Sequence, residues 1–242
     1  AFFQVTKKLH NLLQGKQGSL SDAEKIIYLE HSRRMALETK RVAADVWVIH
    51  DPQPLAMLAF NEDLHPAVWR CHIDTSRPNV EARDFLLPYL HRYDEFIFTL
   101  PEYVFPDLDR EKVNFFSPAL DPLTAKNAPL DRAFARRVLQ KLGIDADRPL
   151  ITQVSRFDPW KDPIGVVETY QLVKREVPDL QLALVGVMKA LDDPEALHNL
   201  VAVQEKAAGD PDIHLYSDPN QVGDLEVNAF QTASDVIIQK ST

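Results

Sequence analysis

Pro149-Leu-Ile-Thr-Gln-Val154, then Ser155-Arg-Phe-Asp-Pro-Trp-Lys161, then the run from Pro163 to Glu176 read as a strand, a loop and a helix. The first segment is short, apolar and β-rich. The second is broken by a Pro-Trp turn, and the third ends before Pro178, which cannot continue a helix. Outward toward the C-terminus the same grammar recurs. Leu180-Gln-Leu-Ala-Leu-Val185 is a strand closed by Gly186, and a helix runs from about Pro194 to Ala208. Ile213-His-Leu-Tyr216 is a strand, Leu225 to Ala233 a helix, and Asp235-Val-Ile-Ile-Gln239 a last strand. Toward the N-terminus, Arg132 to Leu142 is helical and Gly143 caps it.

The first half repeats the pattern. Phe2, Val5, Leu9, Leu12 and Leu13 fall at helical spacing in an opening helix that lacks a cap and stops at Gly15. Ser21-Asp-Ala-Glu24 is a capping box for a helix expected to reach about Ala43. Asp45-Val-Trp-Val-Ile-His50 is a strand ended by Asp51-Pro-Gln-Pro54, which suits the entry to a helix. Ala67 to His72 is a second strand and Val80 to His91 a helix. Tyr93 to Leu100 and Lys112 to Phe116 are further strands. Strands alternating with helices in this way predict parallel, helix-covered sheets. The proline-bearing Ser117-Pro-Ala-Leu-Asp-Pro122 reads as a domain crossing, dividing the chain into 1–118 and 119–242.

Composition narrows the function. The 242 residues are 45% hydrophobic and 26% charged, which excludes disorder and collagen. The net charge of −9 argues against nonspecific nucleic-acid binding. All of that charge arises from Gly143 onward, where eight basic residues meet seventeen acidic ones. The single cysteine, Cys71, excludes an internal disulfide, favours a reducing, cytoplasmic setting over secretion, and reads as a buried thiol. No apolar run approaches the roughly 18 residues of a membrane span. Seven glycines against seventeen prolines leave little room for phosphate-cradling turns. Neither a Walker A loop, nor Gly-x-Gly-x-x-Gly, nor a Gly-x-Ser-x-Gly elbow occurs.

The chemistry concentrates at strand ends, where open parallel sheets bind ligands. Arg156 and Lys161 are two of the few cations of the acidic half, and a guanidinium fork plus an ammonium suits a diphosphate. Surface pairing with Asp158 and Asp162 is the alternative. His50-Asp51 and His72-Ile73-Asp74 end two strands of the first half and would face one crevice. Neither has metal-ligand spacing, and no metal site is expected. Trp47 and Trp69 are expected between sheet and helices. Trp160 is expected either to wedge the turn that aims Lys161 or to pack on the surface.

Taken together, Val48-Ile-His-Asp-Pro-Gln-Pro54, Trp69-Arg-Cys-His-Ile-Asp74, Leu100-Pro-Glu-Tyr-Val104, Gln153-Val-Ser-Arg-Phe-Asp-Pro-Trp-Lys161, Leu184-Val-Gly-Val-Met188 and Glu226-Val-Asn-Ala-Phe-Gln231 resemble the trehalose glycosyltransferring synthases of glycosyltransferase family 4. The related trehalose phosphorylases stand beside them. The resemblance runs over essentially the whole chain. It implies a GT-B architecture of two Rossmann-like domains facing a cleft, and a retaining transfer of glucose from a nucleoside-diphosphate glucose to glucose, giving α,α-trehalose. The donor phosphate itself would take the acceptor proton. It further implies that Arg156 and Lys161 stabilise the leaving diphosphate, with Ser155, Gly186 and Met188 beside it. His72 would lie near the donor sugar, and His50, Asp51 and Asp74 would hold sugar hydroxyls. No cofactor or metal is implied, no nucleic acid or membrane partner, and a homodimer is the family habit. Trehalose phosphorylase, or a non-catalytic sugar- or nucleotide-binding module, are the alternative functions. The family's upstream Gly-Gly-Gly loop and its downstream Glu-Gly-Phe-Gly stretch are both missing here. The chain is therefore expected to be an internal fragment with little or no activity of its own.

Overall fold

A computed structural model describes residues 1–186 and 194–240. The chain forms two compact units, Ala1–Ala119 and Leu120–Thr242.

In the first unit, α1 (Phe2–Leu13) buries Val5, Leu9, Leu12 and Leu13 along one stripe and starts at Ala1 without a side-chain cap. In α2 (Asp22–Thr39) the box forms in full, Ser21 Oγ accepting from the Glu24 amide while the Glu24 carboxylate accepts from the Ser21 amide at 2.8 Å. The helix ends at Thr39, short of the expected Ala43. The Ala36 carbonyl is taken there by Thr39 Oγ1 at 2.9 Å and by buried Asn61 Nδ2 at 3.2 Å, so the last turn is held by side chains.

Strands β1 (Trp47–His50), β2 (Ala67–Arg70), β3 (Glu95–Phe98) and β4 (Val113–Phe115) form one parallel sheet in that order, with α3 (Val80–Leu90) between β2 and β3. The register aligns Ile49 with Trp69 and Phe96. All three are buried, and they share one core with α1, α2 and α3. Trp69 meets Phe98 edge-on at 5.7 Å between ring centres, whereas Trp47 is only partly buried at the edge of that core. Because side chains alternate along a strand, Val48, His50 and Arg70 belong to the opposite face, where Val48 is 48% exposed. After the prolines at 52 and 54 the chain enters a 3-10 helix, Leu55–Phe60. Tyr28 and Tyr93 fix this segment by donating to the Pro52 and Leu55 carbonyls.

The second unit is covered on both sides. Its parallel sheet runs β7-β6-β5-β8, built from β5 (Leu150–Val154), β6 (Gln181–Val185), β7 (Ile213–Tyr216) and β8 (Val236–Ile237). On one face α4 (Arg132–Lys141) and α7 (Asp224–Ala233) pack on Leu150, Ala183 and Val185. On the other, α5 (Pro163–Val173) and α6 (Pro194–Ala207) pack on Ile151, Leu182 and Leu184. The continuous apolar runs at 150–154 and 181–185 are what a doubly buried parallel strand requires. β8 is shorter than the expected 235–239, pairing only opposite Ile151 and Thr152. At the N-terminal edge of this sheet, Arg148 and Lys174 both reach Asp212 at 2.7 Å and hold its carboxyl far below the usual range. Among the described residues no helix is long and apolar enough to cross a membrane.

Candidate functional site

In the first unit the candidate residues collect where β1 and β2 end. These strands are parallel neighbours with His50 opposite Arg70, so residues just past each end come together. His50 Nδ1 lies 2.8 Å from His72 Nε2, with the two rings stacked at 5.1 Å. One ring nitrogen of the pair carries the hydrogen and the other accepts it. Asp51 stands between the two strand ends with φ +63°, a left-handed conformation that costs a non-glycine residue about 1 kcal/mol or more. Three hydrogen bonds to the β2 side impose it. Its amide donates to the Arg70 carbonyl at 2.8 Å, its carbonyl accepts from Trp69 Nε1 at 2.9 Å, and its Oδ1 accepts from the His72 amide at 2.8 Å. Asp74 is not part of this knot. It caps its own turn through the Ser76 amide and borders Tyr103. Cys71 is buried, with its thiol pushed up to about 12 by that burial.

Arg70 is a member of this edge that sequence reading passed over. It is 6% exposed, and its guanidinium donates to the Phe98 and Phe116 carbonyls at 3.2 and 2.7 Å. A buried guanidinium thus ties the ends of β3 and β4 to β2.

In the second unit a cleft of about 290 Å³ opens at the C-terminal ends of β5 and β6. It is lined by Val154, Ser155, Arg156, Val185 and Gly186, by Pro219, Val222, Gly223, Asp224 and Val227 at the start of α7, and by Lys126. Three of the expected residues, Ser155, Arg156 and Gly186, therefore share one wall. The Ser155 amide continues the ladder to the Val185 carbonyl at 2.9 Å, and the Gly186 amide donates to the Tyr216 carbonyl at 2.9 Å. Gly186 is there because nothing larger fits. A Cβ at this position would stand 2.3 Å from the Ser155 carbonyl oxygen and 2.7 Å from the Phe157 ring.

Arg156 is 77% exposed and pairs with Asp158 at 2.8 Å, the neighbouring-acid alternative that the sequence also allowed. Lys161 occupies the far limb of the loop, its carbonyl bound by buried Gln153 at 2.7 Å, and it does not line this cleft. Asp162 pairs with Lys240 and caps α5 through the Gly165 amide. Trp160 is half-buried. Met188 lies outside the described residues. Lys126 gave no sequence signal, because it belongs to a loop with no strand end near it in the chain. Among the described residues no cluster of three or more His, Cys, Asp or Glu could hold a metal ion.

Residues 1–105 match the family model described as trehalose synthase, N-terminal domain. The chain is 45% identical over 245 residues to the trehalose synthase of Rubrobacter xylanophilus, covering 99% of itself and 59% of the relative. It is 45% identical over 241 residues to the trehalose synthase of Pyrococcus horikoshii, covering 99% of itself and 58% of the relative. A more distant match, 27% identical over 99% of this chain, is the trehalose phosphorylase of Pleurotus pulmonarius, of which it covers 39%. In fold it is similar to the N-terminal domain of a Candida albicans trehalose-6-phosphate phosphatase, with TM-score 0.74, 15% identity, and coverage of 99% of this chain and 60% of the other. It is also similar to an α,α-trehalose-phosphate synthase (UDP-forming) of Burkholderia vietnamiensis, with TM-score 0.71, 16% identity, and coverage of 98% and 62%. These likenesses are in fold alone, the GT-B class of parallel α/β units in succession. The chain spans about three fifths of the length of the curated synthases it matches.

Proposed function

We propose that the chain, whose residues 1–105 match the trehalose synthase N-terminal domain model, is part of a retaining glycosyltransferase that moves glucose from a nucleoside-diphosphate glucose to free glucose, forming α,α-trehalose. The observation that carries the donor side is the convergence of Ser155, Arg156 and Gly186 on one cleft at the C-terminal ends of β5 and β6, the edge at which open parallel sheets bind ligands. Arg156, with Lys161 on the same loop, meets the charge that grows on the diphosphate as the glycosidic bond breaks. Gly186 lets the donor approach the backbone, and Met188 is assigned to the donor by the family resemblance alone. In the first unit the His50–His72 pair, fixed by Asp51, presents imidazole and carboxylate groups to sugar hydroxyls, with His72 nearest the donor sugar. Asp74 is assigned to the sugars only as a neighbour of that edge.

The reaction needs no protein nucleophile in this proposal. The donor phosphate takes the acceptor proton, and no metal or cofactor takes part. A cytoplasmic location and a homodimer belong to the same proposal.

Two measurements test it. Isothermal titration of the 242-residue chain with UDP, ADP and GDP is expected to give saturable binding to at least one, and binding to none overturns the donor site. NMR of anomeric protons, after incubating the chain extended to the length of its relatives with each nucleoside-diphosphate glucose and glucose, is expected to show α,α-trehalose. The phosphorylase relatives motivate the second reading. Glucose 1-phosphate formed from trehalose and phosphate, with no trehalose from any nucleotide sugar, would establish it instead.

A further inference from the structure

We infer that Lys126 is a further phosphate ligand of the donor cleft, fixed in place by Asn228; the inference rests on the nucleotide-sugar reading above. Lys126 lines the cleft together with Arg156, although it comes from the loop that precedes α4. That loop is strapped down. Asn228, on α7 and 6% exposed, donates its amide hydrogens to the Ala125 and Ala128 carbonyls at 2.8 Å each, and its Oδ1 accepts from Thr232 Oγ1 at 3.1 Å. The two anchored carbonyls bracket Lys126. Within the loop the Thr124 carbonyl accepts from the amides of Asn127 and Ala128, and the Asp121 carbonyl accepts from Thr124 Oγ1 and Asn127 Nδ2. A buried amide whose donors and acceptor are all satisfied is a rigid joint. What it makes rigid is the stretch that carries this ammonium.

Charge points the same way. Among the described residues the ionisable groups lining the cleft are Lys126, Arg156 and Asp224, two cations to one carboxylate in a unit whose charge is otherwise acidic. Arg156 has Asp158 as counter-ion, while among the described residues Lys126 makes no ion pair or side-chain hydrogen bond. An ammonium on a fixed loop, opening on the same cleft as a guanidinium, is matched by a polyanion that offers oxygens to both. The diphosphate of a nucleoside diphosphate is such a ligand, and a nucleoside alone is not.

Isothermal titration with UDP, ADP and GDP, and with uridine, adenosine and guanosine, tests this on the full chain and on Lys126→Gln, Lys126→Arg and Arg156→Ala. Lys126→Gln is expected to weaken diphosphate binding by about 5- to 20-fold, to leave nucleoside affinity unchanged, and to flatten the salt dependence. Lys126→Arg is expected to restore most of the loss. Asn228→Ala keeps the charge but frees the loop and should weaken the diphosphate in the same direction; if it fails to fold, the comparison of Lys126→Gln with Lys126→Arg decides alone. Unchanged diphosphate affinity in Lys126→Gln, with a loss in Arg156→Ala, would overturn the inference and leave the donor site standing. An equal loss of nucleoside and diphosphate affinity would overturn it as well, since Lys126 would then be shaping the cleft. Absence of diphosphate binding by the unsubstituted chain would overturn both.

Discussion

At position 186 one hydrogen in place of a methyl group decides whether the β5 and β6 ends can lie against each other. The Ser155 carbonyl and the Phe157 ring both occupy space that a Cβ would need, at 2.3 and 2.7 Å. One obstacle is backbone and the other a buried ring, so neither yields cheaply. Gly186→Ala is expected to destabilise the protein by about 1–3 kcal/mol, measured by urea denaturation, and to weaken nucleoside diphosphate binding at the same time. Sequence marks Gly186 as the end of a strand; the close approach behind it depends on a loop thirty residues earlier. Asp51 behaves in the same way. Its acidic side chain beside a histidine is visible in the sequence, but its left-handed backbone and its grip on the His72 amide exist only because β1 and β2 are neighbours. Asp74, two residues after His72, caps its own turn instead.

Helix signals are local, and they read well. The box at Ser21 and Glu24 and the helix starts at Val80, Arg132 and Pro163 stand where the sequence reading put them, Asn79 and Asp131 supplying the caps of two of them. Ser21→Ala is expected to cost about 1 kcal/mol in urea unfolding, with Ser19→Ala, outside the box, as the neutral control. Element ends set by distant partners are not legible. Asn61 closes α2 early, and it is Tyr28 and Tyr93 that hold the helix after the prolines in 3-10 form. The loop before α4 is the functional case. Its composition of Asp, Pro, Thr and Asn announces a turn, yet nothing in it says that Asn228 of α7 will clasp it and place Lys126 at the cleft.

Across the molecule, the charges that do not face either site set the response to acid. Hydrogen bonds from Lys8 and from the Ser21 amide hold the Glu24 carboxyl down at about 2, against an ordinary 4.5. Asp94, Asp210 and Asp212 are lowered as well. A carboxyl lowered by folding adds stability above its unfolded value and loses it as pH falls through the folded one. Burial lowers His214 from 6.5, outweighing the pull of Asp212; the unfolded chain then binds the proton first, and stability falls as pH drops below that value. Thermal melting against pH is expected to be level above about pH 7, to decline first near 6.5, and to decline again below 4.5. His214→Phe should remove the first decline and leave the second. The sequence by itself determined the alternation of strands and helices, the parallel sheets, the helix starts and the cationic loop at Arg156, because apolar period, proline and capping chemistry act over a few residues. Only the tertiary structure decided that His50 lies against His72, that Gly186 abuts the Ser155 backbone, and that Lys126 joins Arg156 at one cleft. Those placements follow from which strands pair and which buried amide reaches which loop, and pairing is settled by burial of whole faces rather than by any neighbouring residue.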